Sequence, residues 1–331
     1  MKHCNGVACR IDASGLIAPI VAPLPAAELR EVAAFSLLRH TKGFDRNPES
    51  CALVIAEQLQ QWLHSSAAVW GLRDHLGHLQ ALCALVPLAW DSAHFGQPMA
   101  RLQLLRSTGV AETDCARLVD CALATESGHL SAEVDVADYL SFNLLARRGF
   151  ELLDTRRTYC AYAPRKPQLG RRRQGIRPYR TADRAAVLEI VADTRFPSRF
   201  YRDDGLAPAR VAAMYHQWFA RLLDDHGRSS DAVVYEREGQ VLACGAIGER
   251  DFSAAGVPLR ARTGSLYAGL PSATGAYLPV LEMLISRALE TYDFAETTVA
   301  LQNTAACRAL ESFTAVYATA TSYSLRRRPL G

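Results

Sequence analysis

The sequence predicts an α/β protein, more narrowly α+β. Two tandem copies of one unit are expected, each a mixed, mostly antiparallel sheet flanked by helices. Three observations carry this. The 331 residues are enough for two domains of ordinary size. A basic stretch rich in proline and glycine, PRKPQLGRRRQGIRP (164–178), divides the chain. The pieces on either side repeat one order of elements: helix, helix, antiparallel strands, helix, strand, helix, strand. The expected division is therefore 1–165, a linker at 166–178, and 179–331. The divider has no apolar periodicity and reads as an exposed connection. Its arginines would equally suit an anionic phosphate.

Each copy opens on a polar start into an amphipathic helix, PAAELREVAAFSLL (25–38) and TADRAAVLEIVADT (181–194). Thr181 or Asp183 can cap the second of these. A longer helix follows at ESCALVIAEQLQQWLHSS (49–66) and at ARVAAMYHQWFARLLDD (209–225). Next comes a charged strand, a glycine-containing turn and a small-residue strand, a hairpin pattern seen at 67–88 and 231–250. Helices are expected at TDCARLVDCALATES (113–127) and LPVLEMLISRALETY (278–292), each flanked by a parallel pair of strands. The endings match at a constant offset of 165 residues: Val134 with Val299, Asp138 with Asn303, Leu145 with Leu310. A fixed offset across a strand, loop and helix favours duplication over chance.

Composition excludes several classes. Hydrophobic residues at 49% and charged residues at 21% suit a chain that buries a core. A net charge of +3 is too small to imply nucleic acid. No long uncharged apolar window predicts a membrane span, and the first residues lack the pattern of a secretion signal. The nine cysteines form no C-x-x-C pair, so buried reduced thiols in a cytoplasmic protein are expected, without a metal site.

Four stretches carry a family resemblance: PLAWDSAHFGQPMARL (87–102), SRFYRDDGLAPARVAAMYHQWF (198–219), the loop Gly269 to Tyr277, and QNTAACRAL (302–310). With the element order, they resemble the GNAT superfamily of acyl-CoA N-acyltransferases, and within it the dTDP-fucosamine acetyltransferase group. The resemblance implies acetyl-CoA, or another acyl-CoA, as cosubstrate. It implies a small-molecule amine as acceptor, such as a nucleotide-linked amino sugar, and a monomer or homodimer. Two other readings stand beside it: a fold of this kind without transferase activity, or one that uses acyl-CoA for other chemistry such as decarboxylation.

A pyrophosphate wants backbone N–H donors at a helix start. GLPSATGAY (269–277) lies between a strand and a helix, so Ser272, Ala273, Thr274, Gly275 and Ala276 are the candidate cradle or a plain strand–helix turn. The family pattern asks for Arg or Gln at the slot of Ser272 and Gly or Ala at that of Tyr277; Gly275 alone conforms. In the first copy, Glu112 and Asp114 at the matching helix start would repel phosphate, so acyl-CoA is expected in the second copy only.

The resemblance assigns oxyanion and cofactor contacts to the backbone from Leu266 through Ala268 to Gly269, and the pantetheine arm to Asn303. Asn303 can also cap the next helix, and the two roles are compatible. The family's proton-donating tyrosine falls at Leu310, and the usual Gly-Phe is Thr314-Ala315, whereas the first copy keeps Gly149-Phe150. Tyr267 and Tyr277 are candidate replacement acids, or packing residues. Glu249 is the candidate base, or a solvated charge at a strand end. Arg199 and Arg202 are candidate acceptor ligands or surface ion-pair partners. Trp90 and Asp91 would shape the acceptor cleft or form a structural turn.

Overall fold

A computed structural model describes residues 16–20, 28, 48–65, 67–107, 109–125, 128–163, 174–273 and 275–329. The predicted helix at 25–38 (apart from Glu28), linker residues 164–173, and Thr274 lie outside them. The chain divides into two units. Unit 1 is Met1–Leu153 with Ala254–Val257 and Ser322–Gly331, and unit 2 is Asp154–Ser253 with Pro258–Thr321.

The first part of the chain forms β1 (Leu16–Pro19), α1 (Pro48–His64), β2 (Ala68–Arg73), β3 (Leu79–Pro87), α2 (Ala89–Phe95) and β4 (Met99–Arg106). It continues through α3 (Glu112–Leu123), β5 (His129–Asp135), α4 (Tyr139–Ala146) and β6 (Glu151–Tyr162). The second part forms β7 (Ile176–Pro178), α5 (Arg184–Asp193), α6 (Arg199–Arg202), α7 (Pro208–Asp224), β8 (Ser230–Arg237) and β9 (Gln240–Asp251). It ends with β10 (Arg260–Gly269), α8 (Tyr277–Thr291), β11 (Phe294–Ala300), α9 (Thr304–Glu311) and β12 (Val316–Arg327).

In unit 1 the described strands run β1-β2-β3-β4-β5-β12, all antiparallel except β4 with β5. β3 is buried along most of its length because both faces of the sheet are covered. α3 and α4 pack on one face through Cys115, Leu118 and Leu144, while Leu59 and Trp62 of α1 cover the other. In unit 2 the order is β6-β11-β10-β9-β8-β7, again antiparallel except β10 with β11. The α8 helix covers one face; Gly245 makes room for it, since a Cβ there would stand 2.7 Å from Val280 and Leu284. The opposite face carries α7, with Leu222 against Gly248 and Trp218 against Gly264.

The repeat is stricter in structure than in sequence. β5, α4 and β6 at 129–135, 139–146 and 151–162 recur as β11, α9 and β12 at 294–300, 304–311 and 316–327, each 165 residues on. The last strand of each sheet comes from elsewhere in the chain. Arg156–Tyr162 pairs with β11 in unit 2, and Ser322–Arg327 pairs with β5 in unit 1. A cut at the linker therefore does not separate the units.

Two local expectations change. Residues 176–178, read as linker, form edge strand β7 against β8. WDSAHFG is a short helix, closed by Gly96 in the left-handed region (φ 71°), and no side chain caps its start. SRFYRD, between the helices predicted at 181–194 and 209–225, makes one helical turn of its own at Arg199–Arg202. Among the described residues no helix is long and apolar enough to cross a membrane, and no cluster of three metal-ligating side chains occurs.

Candidate functional site

β10 and β11 pair only at Ala261–Phe294 and Arg262–Ala295. Beyond that point β10 is bulged between Thr263 and Leu266, and Gly264 takes a left-handed backbone (φ 69°) that a side chain would strain. The strands then part, leaving backbone groups without a ladder partner across the gap. The Ser265 and Thr297 hydroxyls, 2.6 Å apart, bridge the strands where the parting begins.

A cavity of about 560 Å3 occupies this gap. Its lining comes from both faces of the unit 2 sheet. Tyr267, Tyr277, Leu281 and Asn303 contribute from the α8 and α9 side, and Phe196, Arg199, Tyr215 and Trp218 from the α5 to α7 side. The volume lies within the ~300–1,000 Å3 typical of small-molecule sites. A cavity lined from both faces can bring two substrates together from opposite sides.

On the α8 side, the Tyr267 and Tyr277 rings meet edge to face, centroids 4.6 Å apart. Burial pushes the Tyr277 phenol up to about 12, helped by the nearby Cys307 thiol, and burial likewise raises Tyr267. Both are protonated at neutral pH and can donate. Asn303 caps α9: its side-chain oxygen accepts from the Ala306 N–H at 3.2 Å. The predicted phosphate loop is partly closed on itself. The Ala273 amide donates to Leu270 and the Ala276 amide to Ala273, both at 2.9 Å. Pro279 brings no N–H to the first turn of α8, so Tyr277 and Leu278 supply its amides there. Leu266 and Gly269 line the cavity, while Ala268, Ser272, Ala273, Gly275 and Ala276 do not.

On the other side, Phe196, Tyr201 and Trp218 all stack on Tyr215, with centroids 4.4–6.2 Å apart. Arg199 lines the cavity and lies over the Phe200 ring, 4.9 Å from its centroid. Arg202 is not a lining residue; it approaches Asp154, Nη1 to Oδ1 at 3.9 Å.

Other expectations are corrected. Glu249 is not in the cavity: it sits opposite Arg262, at the closed end of the β10–β11 pair. Its carboxylate accepts from Arg260 at 2.8 Å and from the Tyr292 hydroxyl at 2.9 Å. An acid held this way is a structural anchor, not a base poised over a substrate. Trp90 and Asp91 lie on α2 in unit 1 and line no part of this cavity; Trp90 stacks on His94 at 4.8 Å. Leu310 is 1% exposed, within a cluster with Tyr159, Leu281 and Cys307. Its position turns into the core, where a hydroxyl could not reach the cavity without repacking. Burial pushes the thiols of Cys160 and Cys244 up to about 12, so neither is a nucleophile at neutral pH.

Sequence reasoning missed Asp154 and Arg156, which line the cavity from β6. They precede the linker and were counted with the first copy. In unit 1 the corresponding gap is filled. Asp138, matching Asn303, caps α4 and binds Arg106 of β4 at 2.6 Å, and the space there is about 10 Å3.

No protein-family model matches the sequence, and no curated protein matches it. Solved structures do. A GCN5-related N-acetyltransferase from Sphaerobacter thermophilus aligns over 95% of this chain and 96% of its own, with TM-score 0.58 at 12% identity. A tandem GNAT protein of the clavulanic acid biosynthesis pathway aligns over 95% and 98%, with TM-score 0.51 at 16% identity. A GNAT-family acetyltransferase from Colwellia psychrerythraea aligns over 94% and 98%, with TM-score 0.50 at 16% identity. The likeness is one of fold: this chain has the tandem GNAT fold.

Proposed function

We propose that the chain is an acyl-CoA-dependent N-acyltransferase whose transfer site is the unit 2 cavity. The observation that carries this is one cavity running through the gap between parted parallel strands, with lining from both faces of the sheet. Acetyl-CoA is the expected cosubstrate. Its pantetheine would enter on the α8 and α9 side beside Asn303, with its phosphates toward the amides of Tyr277 and Leu278. Leu266 and Gly269 line the gap where backbone N–H groups can stabilise an oxyanion. The phenol of Tyr277 or Tyr267 protonates the departing thiolate in place of a residue at 310. The amine acceptor, such as a nucleotide-linked amino sugar, enters past the aromatic wall of α5 to α7. Unit 1 has no acyl-CoA site in this reading, because the Arg106–Asp138 pair occupies the equivalent gap.

Thermal unfolding with acetyl-CoA and CoA tests the reading. Ligand at 100 times its Kd adds about 2.7 kcal/mol, roughly 5–11 °C in Tm for a domain of this size. No shift with any acyl-CoA defeats it. A shift without amine-dependent release of CoA thiol points to a binding module or to other acyl-CoA chemistry.

A further inference from the structure

Asp154 is 4% exposed, lines the cavity, and one of its carboxylate oxygens, Oδ2, has no hydrogen-bond partner among the described residues. A buried polar atom left this way is destabilising, and more so when charged. Such an arrangement fits a group completed by a ligand. Strand alternation fixes where Asp154 faces. On β6, Tyr159 packs toward α8 and α9 with Leu281 and Leu310, while Thr158 and Cys160 meet Thr298 and Glu296 on β11. Asp154 and Arg156 share the parity of Thr158, so they belong to the face of α5 to α7.

The charges around Asp154 are unequal. Arg202, Arg156 and Arg199 all act on this one carboxylate. Of these, Arg156 and Arg199 also line the cavity. The lining thus holds one carboxylate and two guanidinium groups, so a simple cationic amine matches only one of its two signs. An amine that also carries an anion would satisfy both signs.

We propose that Asp154 receives the amino group of the acceptor while Arg156 and Arg199 hold an anionic substituent of the same molecule, so that the acceptor class is an anion-bearing primary amine. This rests on the acyltransferase reading above. The step balances. The acceptor arrives as an ammonium and gives one proton to the Asp154 carboxylate. Its nitrogen forms the C–N bond as the thioester C–S bond breaks. The nitrogen's second proton ends on sulfur through the Tyr277 phenol. Products are the amide, the CoA thiol, and one proton that Asp154 returns to water. Burial, which raises Asp154 against the lowering effect of its three arginines, favours its taking that proton.

Two probe pairs test the acceptor class on the full chain saturated with CoA, by calorimetric binding: glucosamine 6-phosphate against glucosamine, and tyrosine against tyramine. The phosphate or the carboxylate probe is expected to bind at least 10-fold tighter than its anion-free partner, and which pair responds tells the anion. If neither anionic probe binds better than its partner, the class is wrong. Arg156→Gln and Arg199→Gln should each raise KM for the responding probe by 10-fold or more with little change in kcat. Asp154→Asn should lower kcat/KM by about 100-fold or more, with acetyl-CoA affinity and folding unchanged. Retention of kcat/KM within twofold in a folded Asp154→Asn overturns the role of Asp154. Loss of acetyl-CoA binding by the unmodified protein would instead defeat the underlying acyltransferase reading.

Discussion

Restoring the family's tyrosine by Leu310→Tyr should damage the protein and leave catalysis unimproved. Leu310 is 1% exposed and packed among Tyr159, Leu281 and Cys307. The free space it borders is about 10 Å3, at the lower limit of the ~10–15 Å3 that one water needs. A phenol ring cannot be added there without moving neighbours. Overpacking a well-filled core costs about 1–3 kcal/mol. At roughly 2–4 °C per kcal/mol for a domain of this size, Tm should fall by about 2–12 °C. A buried hydroxyl without a partner would push the loss toward the upper end. The assay is thermal unfolding of both proteins, paired with acyl-CoA turnover. A Tm within 1 °C of the parent, with turnover raised about 10-fold, would refute the reasoning. It would mean that position 310 opens to the transfer cavity after all.

Tyr277→Phe should lower kcat about 100-fold, the small end of general acid catalysis because a thiolate leaves well, without weakening acyl-CoA binding; a kcat within threefold would remove Tyr277 from the reaction. Since its phenol is held up to about 12, loss of its donating form should not cause a fall in rate between pH 8 and 10. Arg106→Ala should cost about 3–5 kcal/mol by stranding Asp138, which is nearly fully buried, and adding Asp138→Asn should recover part of the lost Tm. Burial raises the Asp154 carboxyl from its ordinary value despite the lowering effect of Arg202, Arg156 and Arg199. The folded state thus holds its proton longer than the unfolded state, and its contribution to stability falls as pH rises from the ordinary carboxylate range through the folded value. Subtracting the Asp154→Asn stability curve from the parent's should show that decline, and a flat difference would show that Asp154 is not desolvated.

Much of the fold was legible because the elements are strongly periodic and occur twice. The α8 and α9 boundaries and the Asp138 and Asn303 caps follow from local pattern and offset. Register was not legible. Glu249 and Tyr267 sit on neighbouring strands at opposite ends of the β10 pairing, and only the bulge near Gly264 determines which end opens. Leu310 could be recognised as a lost tyrosine, but not as a core residue, because burial depends on Tyr159 arriving from a strand before the linker. Asp154 was hidden for the same reason. Its strand was assigned to the copy it follows in sequence, although it pairs in the other.

That pairing binds the fates of the two copies. Residues 1–163 carry the strand that covers β11, and residues 174–331 carry the strand that covers β5. Either half made alone would present a bare sheet edge, open to sticking and aggregation. Made together as separate polypeptides, each would carry the closing piece of its counterpart. Residues 1–163, whose own gap is filled, thus also donate structure to unit 2. Deleting them would remove from unit 2 both strand β6 and the Asp154 carboxylate that it delivers.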